Sequence, residues 1–317
     1  MRLWITRQGA VLRSSRGQIL LETEGQVEKA WPLEIVEEVV LVGSVQPSVN
    51  LLRTLSNRGV PVHLVATNGR YRGAFFLPLS GQAELLKLQV WSTLDPLPIA
   101  KRIAEGKIRA MRAVLRAWGK RVPRVREGAS EVEAFLLMLS HAEDVESVRG
   151  IEGGATAAYF RHFAAMVPSP FAFAARTTRP PRDPVNALLS FGYSLLLTQV
   201  VTAIQMAGLH PAFGYLHVSH GARPALALDL MEEFRSVFVD RLVVRMLRQG
   251  IVNLGHFRPV KGGVYLNDEG RGVFLRHFTR GLGTENEGFR EHIFRYVRHF
   301  KGHLRGESFP FLVKEVP

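Results

Sequence analysis

The hydrophobic rhythm of this chain changes at Leu77-Pro78-Leu79-Ser80-Gly81, and that change constrains the fold more than any other feature. Ahead of it, β-branched or aromatic runs such as Leu3-Trp4-Ile5-Thr6 and Val39-Val40-Leu41-Val42 alternate with Gly9, Gly17, Gly25, Gly43 and Asn68-Gly69. Short runs of that kind, bounded by turn residues, read as strands. One helix is expected among them over residues 48–58. Ser48 suits an N-cap, Leu51, Leu52 and Leu55 form an apolar stripe, and Gly59 suits a stop. Val60-Pro61-Val62-His63-Leu64-Val65 then returns to strand. Behind the boundary the period lengthens. Ile108, Met111, Leu115 and Trp118 recur at helical spacing and form one apolar face. The expected class is α+β, with a small β-rich domain over residues 1–82 and a larger α-helical domain over 83–317.

Charge narrows the partners. The chain has 317 residues, 46% of them hydrophobic, and a formal net charge of +13. Such an excess attracts polyanions and is repaid by counterion release. Residues 1–82 carry +3 and the remainder +10, so the second region is the better polyanion surface. Between Lys101 and Glu127 stand ten Lys or Arg, Arg109, Arg112 and Arg116 among them, against two Glu. That run reads either as a solvated helix face or as a phosphate-contacting surface. There is no cysteine, which excludes disulfides, zinc–thiolate sites and cysteine nucleophiles and suits a reducing compartment. No signal-peptide pattern opens the chain. The most apolar stretch, 187–207, is interrupted by Ser190, Gly192, Tyr193, Ser194, Thr198, Gln199 and Gln205, and is expected to be a core helix rather than a membrane span.

Three stretches carry candidate chemistry. His217 precedes a helix-like run in which Asp229 and Glu232 stand three apart, on one helical face. Carboxylates beside an imidazole outline a divalent-metal site. His220, three residues after His217, is an alternative ligand if the segment is helical. Glu152 lies in Arg149-Gly150-Ile151-Glu152-Gly153-Gly154. On its residues alone it reads first as an exposed carboxylate at a helix start, favoured there by the helix dipole; the alternative is a buried carboxylate in a close-packed patch of small residues, which must be paired, protonated or metal-bound. Arg176, Arg179 and Arg182 precede Asp183-Pro184, an N-cap and first-turn proline, and would suit a phosphate. The stripe of Phe289, Ile293, Tyr296 and Phe300 near the C-terminus reads as core. No His-Glu-x-x-His, Gly-x-Ser-x-Gly or P-loop pattern is present.

Four of these segments, in order and spacing, resemble one family. Arg149–Gly153, Asp183–Tyr193, Gly208–His217 and Leu228–Arg235 are similar to the CRISPR-associated spacer-acquisition integrases, the Cas1 family. Gly43–Ser48, Gly59–Val62 and Gly69–Gly73 extend the resemblance over essentially the whole chain. It implies a small β domain, which also dimerises, joined to a helical catalytic domain. It implies that Glu152, His217 and Glu232 are the catalytic residues and the ligands of Mg2+ or Mn2+, with Asp229 supporting or alternative. Asn186, Ser190 and Tyr193 become supporting or DNA-contacting groups, and Arg149 and Arg235 join the arginines above as DNA-binding candidates. The implied reaction is attack of a DNA fragment's 3′-hydroxyl on a phosphodiester at the edge of a CRISPR repeat array, with metal-dependent DNA cleavage beside it. The implied partners are DNA, a second copy of the chain and a Cas2 dimer, in the prokaryotic cytoplasm and without a membrane. The competing expectation is a DNA-binding scaffold of the same fold without catalysis.

Overall fold

The computed structural model describes residues 1–75, 83–218, 223–283 and 288–311. His220, and the boundary stretch from Leu77 to Gly81, lie outside the described residues. The chain divides into two compact units, Met1–Ser80 and Gly81–Pro317.

The first unit contains two four-stranded sheets. Strands β1 (Arg2–Ile5), β2 (Val11–Ser15), β3 (Gln18–Thr23), β4 (Gln26–Pro32), β5 (Glu38–Val42) and β6 (Gln46–Pro47) precede helix α1 (Val49–Asn57); β7 (Val62–Val65) and β8 (Tyr71–Phe75) follow it. One sheet has the order β1-β5-β7-β8, with β1, β5 and β7 parallel. The other runs β4-β3-β2-β6 and is built on antiparallel hairpins. The central β5 is buried along its whole length, as expected for a parallel strand covered on both faces. Helix α1 forms where the sequence indicates. The Ser48 hydroxyl accepts from the Leu51 N–H, Leu51 and Leu55 are buried, and Gly59 takes φ +68° just past the helix end.

The second unit is mainly helical: α2 (Ala83–Ser92), α3 (Leu97–Gly119), α4 (Arg126–Ser140), α5 (Val145–Phe163), α6 (Pro184–Met206), α7 (Ala225–Leu230), α8 (Glu232–Phe234), α9 (Arg241–Arg248), α10 (Asp268–Leu282) and α11 (Phe289–His303). Ile108, Met111 and Leu115 of α3 are buried, as their spacing predicts. Helix α6 is long and apolar enough to cross a membrane, but 83% of its most apolar window is buried inside the protein, and it serves as a core helix. Asp183 caps it by accepting from the Asn186 N–H. Ile293, Tyr296 and Phe300 of α11 are buried in the core, as the stripe indicates. A hairpin of β9 (Phe257–Val260) and β10 (Gly263–Leu266) interrupts the helices, which the sequence reading did not anticipate.

Candidate active site

Helix α3 passes between α5 and α8, and that crossing builds the site. Gly106 makes the approach close. A Cβ at Gly106 would lie 2.0 Å from Glu233 Oε1, so only glycine admits α8 at this distance. The next residue, Lys107, turns its side chain into the gap. Its ammonium bonds Glu152 Oε1 from α5 and lies 2.9 Å from Glu232 Oε2 from α8. Thr156, one turn after Glu152, donates to the same Glu152 oxygen at 2.8 Å.

Glu152 is therefore not a carboxylate at a helix start. It lies inside α5, whose N-cap is Asp144, and its side chain is only 19% exposed. Two small residues after it mislead the eye, because the helix runs through Gly153 and Gly154 with an aromatic, Phe135, packed on the latter.

Glu232 is 2% exposed. Its Oε1 lies 3.1 Å from the Arg235 guanidinium and 3.8 Å from His217 Nε2. Burial pushes this carboxyl up, but Arg235, Lys107 and His217 outweigh it and hold the pKa at about 2. Burial likewise works against the Lys107 ammonium, yet Glu232 and Glu152 keep its pKa above the ordinary value. Glu232 and Lys107 thus hold each other in their charged forms.

His217 lies in an irregular segment between α6 and α7, not in a helix. Asp229 holds it there. The Asp229 carboxylate accepts the backbone N–H groups of Tyr215, Leu216 and His217 at 2.6, 3.1 and 2.9 Å. It also lies 2.7 Å from His217 Nδ1. A carboxylate offers only acceptors, so Nδ1 carries a ring proton and Nε2 faces Glu232. Asp229 and Glu232 both face the His217 ring, at 2.7 Å from Nδ1 and 3.8 Å from Nε2, because Met231 between α7 and α8 keeps helical backbone angles; Asp229 also meets the backbone of the His217 segment. With both oxygens in use, Asp229 orients His217 rather than competing as a ligand. Arg149 fixes the same segment from α5 by donating to Leu216 O at 2.6 Å, and bonds Glu146 at 2.8 Å.

A π-helical turn, Arg235–Asp240, follows α8. Such a turn widens the helix and redirects side chains, and is often found at functional sites. Here it brings Arg235 over the Tyr193 ring at 4.9 Å, with Arg176 on the same ring at 5.4 Å. Arg176 also bonds Asn186 Oδ1 at 2.8 Å and Ser190 Oγ at 3.0 Å. Asn186 is fully buried and staples the preceding loop through Thr177 N and Ala175 O. Tyr193 and Tyr159 donate to the two oxygens of Asp240 at 2.5 and 2.9 Å. Burial pushes the Asp240 carboxyl up to about 6, although both tyrosine bonds oppose it. Asp240, Tyr159 and Lys107 are site residues that the sequence reading missed.

The remaining arginines divide. Arg179 and Arg182 are exposed, but the Asp183 carboxylate already occupies the α6 N-terminus that would receive a phosphate. Arg109 pairs with Glu105 at 2.6 Å and Arg112 with Glu133, while Arg116 is exposed. Part of the basic run therefore meets internal partners.

The donors fit a hard divalent cation. Glu152 and Glu232 already converge on one positive charge, and His217 turns Nε2 toward Glu232. Glu232 Oε2 is buried without a directed hydrogen bond although the Lys107 ammonium is near, so it has a lone pair to offer. Among the described residues no three His, Asp or Glu groups are gathered in one ligand sphere. Lys107 accounts for that spacing, because it stands between two of the donors.

The family model for "CRISPR associated protein Cas1" matches residues 3–280. The chain belongs to the Cas1 family. A CRISPR-associated endonuclease Cas1 of Thermus thermophilus is 40% identical over 282 residues, which cover 89% of this chain and 87% of that relative. A solved CAS1 protein from Thermotoga maritima superposes with a TM-score of 0.88 at 29% identity, covering 97% of each chain. A casposase bound to integration product has the same fold, with a TM-score of 0.89 at 22% identity over 100% of this chain and 94% of its own. The α+β class and the family resemblance both stand.

Proposed function

We propose that this chain is a divalent-metal-dependent DNA integrase and endonuclease that joins the 3′-hydroxyl ends of short DNA fragments into a CRISPR repeat array. One observation carries this reading: Glu152 and Glu232, from helices far apart in sequence, meet on a single positive charge beside His217. Glu152, Glu232 and His217 Nε2 would hold Mg2+ or Mn2+, an oxygen-rich set with one imidazole that suits either ion. When bound, the ion activates the attacking hydroxyl and offsets charge on the phosphate.

The other residues hold this arrangement. Asp229 keeps the His217 proton on Nδ1, which makes His217 a ligand and leaves it no second nitrogen for proton transfer. Arg235 and Arg176, stacked on Tyr193, supply fixed positive charge for the phosphate oxygens. In the transfer, the fragment's 3′-oxygen bonds to phosphorus and loses its proton. The target strand's bond from phosphorus to its own 3′-oxygen breaks, and that oxygen takes up a proton. Water in place of the fragment gives cleavage. Family membership supports action as homodimers joined by a Cas2 dimer, in the prokaryotic cytoplasm.

The test is strand transfer of a labelled short duplex into a supercoiled plasmid carrying a repeat, with Mn2+, Mg2+ or chelator, beside Glu152→Ala. Joining that needs metal and disappears in the variant supports the reading. DNA binding without joining, even with Cas2 present, supports a scaffold instead. The observation favouring the scaffold is that Lys107 already bridges the two carboxylates.

A further inference from the structure

A second concave surface, a groove of about 710 Å³, opens beyond the far end of α3. It shares no lining residue with the small cavity beside Lys107, Glu232 and Asp240. Trp118 follows Lys107 by eleven residues, roughly 16 Å along the helix.

Five cations line the groove: Lys120 and Arg121 after α3, and Arg241, Arg245 and Arg248 on α9. Among the described residues, no Asp or Glu lines it. The α9 arginines are spaced four and three apart, which puts like charges on one helical face, where they repel. Among the described residues, Lys120, Arg121, Arg241 and Arg245 have no ion-pair partner, and Arg248 meets only Met166 O at 2.8 Å and the Trp118 ring at 5.2 Å. Some arginines elsewhere are paired, as in Arg161 with Glu131 and Arg298 with Glu291, but these lie beside carboxylates that the groove lining does not supply. Partial burial lowers the pKa of Arg241, and Arg245 lowers it further. An unpaired, partly desolvated cluster of this kind is unfavourable in the free protein and is relieved by a bound polyanion.

The walls say which polyanion. Trp118, Phe238 and Phe289 line the groove between the cations, and Phe238 stacks on Phe289 with ring centroids 4.6 Å apart. Cations that follow a backbone, interleaved with aromatic faces, suit bases that have left the duplex stack. A duplex hides those faces.

We infer that this groove binds a single-stranded segment of DNA, with Arg241, Arg245, Lys120 and Arg121 on its phosphates and Trp118 and Phe289 on its bases. The inference rests on the reading of the chain as a DNA enzyme and extends it to an unpaired strand held away from the metal ligands.

The test is fluorescence anisotropy in chelator, with a labelled thymidine 20-mer and a 20-base-pair duplex, on the full chain and on Arg241→Gln/Arg245→Gln. The single strand should bind roughly tenfold more weakly to the variant, and the slope of log affinity against log salt should fall by about one to two. The duplex should change less than about threefold. Single-strand affinity and salt slope that match the parent overturn the inference, and so does an equal loss on the duplex. Melting should show the variant folded, since the change removes repulsion. If it is not folded, Lys120→Gln/Arg121→Gln, on exposed residues, decides by the same criteria. Binding is read without metal, so a failure of strand transfer alone counts against the metal site and not against the groove.

Discussion

The Lys107 ammonium lies 2.9 Å from Glu232 Oε2 and bonds Glu152 with the same nitrogen, so a lysine stands where two carboxylates would share a metal ion. Removing one partner of a buried ion pair is costly because the other charge is left unpaired, by about 3–5 kcal/mol. Lys107→Met should therefore melt well below the parent in chelator. Divalent metal should recover much of that loss and should bind the variant more tightly than the parent, since no ammonium competes. Equal metal-induced melting shifts in the two proteins would show that Lys107 and metal do not share the place.

Asp229 binds three backbone N–H groups and the His217 ring. Asp229→Ala strands these donors and should cost roughly 2–4 kcal/mol of stability. Asp229→Asn keeps the shape but turns one acceptor oxygen into a donor that faces two N–H groups, so it should also lose about 1–3 kcal/mol. It loosens the His217 tautomer, and metal affinity should fall about 10–100-fold. Calorimetric titration with Mn2+ checks this, and an unchanged affinity in Asp229→Asn would remove the orienting role.

Gly106 sits in the middle of α3, where alanine would ordinarily improve the helix. Its added Cβ would meet Glu233 Oε1 at 2.0 Å, so Gly106→Ala should instead destabilise by about 1–3 kcal/mol. Thermal melting decides the sign. A stabilised variant would mean that α8 does not pack this closely on α3.

Asp240 gives the pH dependence. Its carboxyl is raised by burial from 3.8 to about 6 in the folded protein. A raised carboxyl contributes stability that is fully present below the unfolded value and is lost as pH rises through the folded one. Between pH 4 and 7 the parent should therefore lose about 3 kcal/mol relative to Asp240→Asn. Denaturant unfolding of both proteins across that range, in chelator, measures it. A flat difference would show that Asp240 is charged in both states.

What the sequence shows is mostly local. Ser48, Asp183 and Pro184 mark helix starts because a cap acts within its own turn. The α3 and α11 stripes follow from helical spacing. Glu152, His217 and Glu232 stand out as a set only through the family resemblance; Gly153 and Gly154 look like a break after Glu152 but are helix interior. Lys107 is hidden in a basic run, since nothing local distinguishes it from the other lysines and arginines there. Its partners lie 45 and 125 residues further on, and only the crossing of α3 with α5 and α8 brings them together. The spacing of Asp229 and Glu232 does place both beside His217, but the three backbone partners of Asp229, 12 to 14 residues earlier, leave no local signal. The β9–β10 hairpin and the π-helical turn at Arg235–Asp240 were likewise illegible, because each departs from the helical period around it.

The central claim is that Glu152, His217 and Glu232 form one metal centre, and Mn2+ binding tests it without any demand on catalysis. Free Mn2+ can be followed by electron paramagnetic resonance during titration of the parent and of Glu152→Gln, His217→Ala and Glu232→Gln, each shown to be folded. The account predicts one tight ion per chain in the parent and its loss in all three variants. A tight ion that survives in any one of them would contradict it.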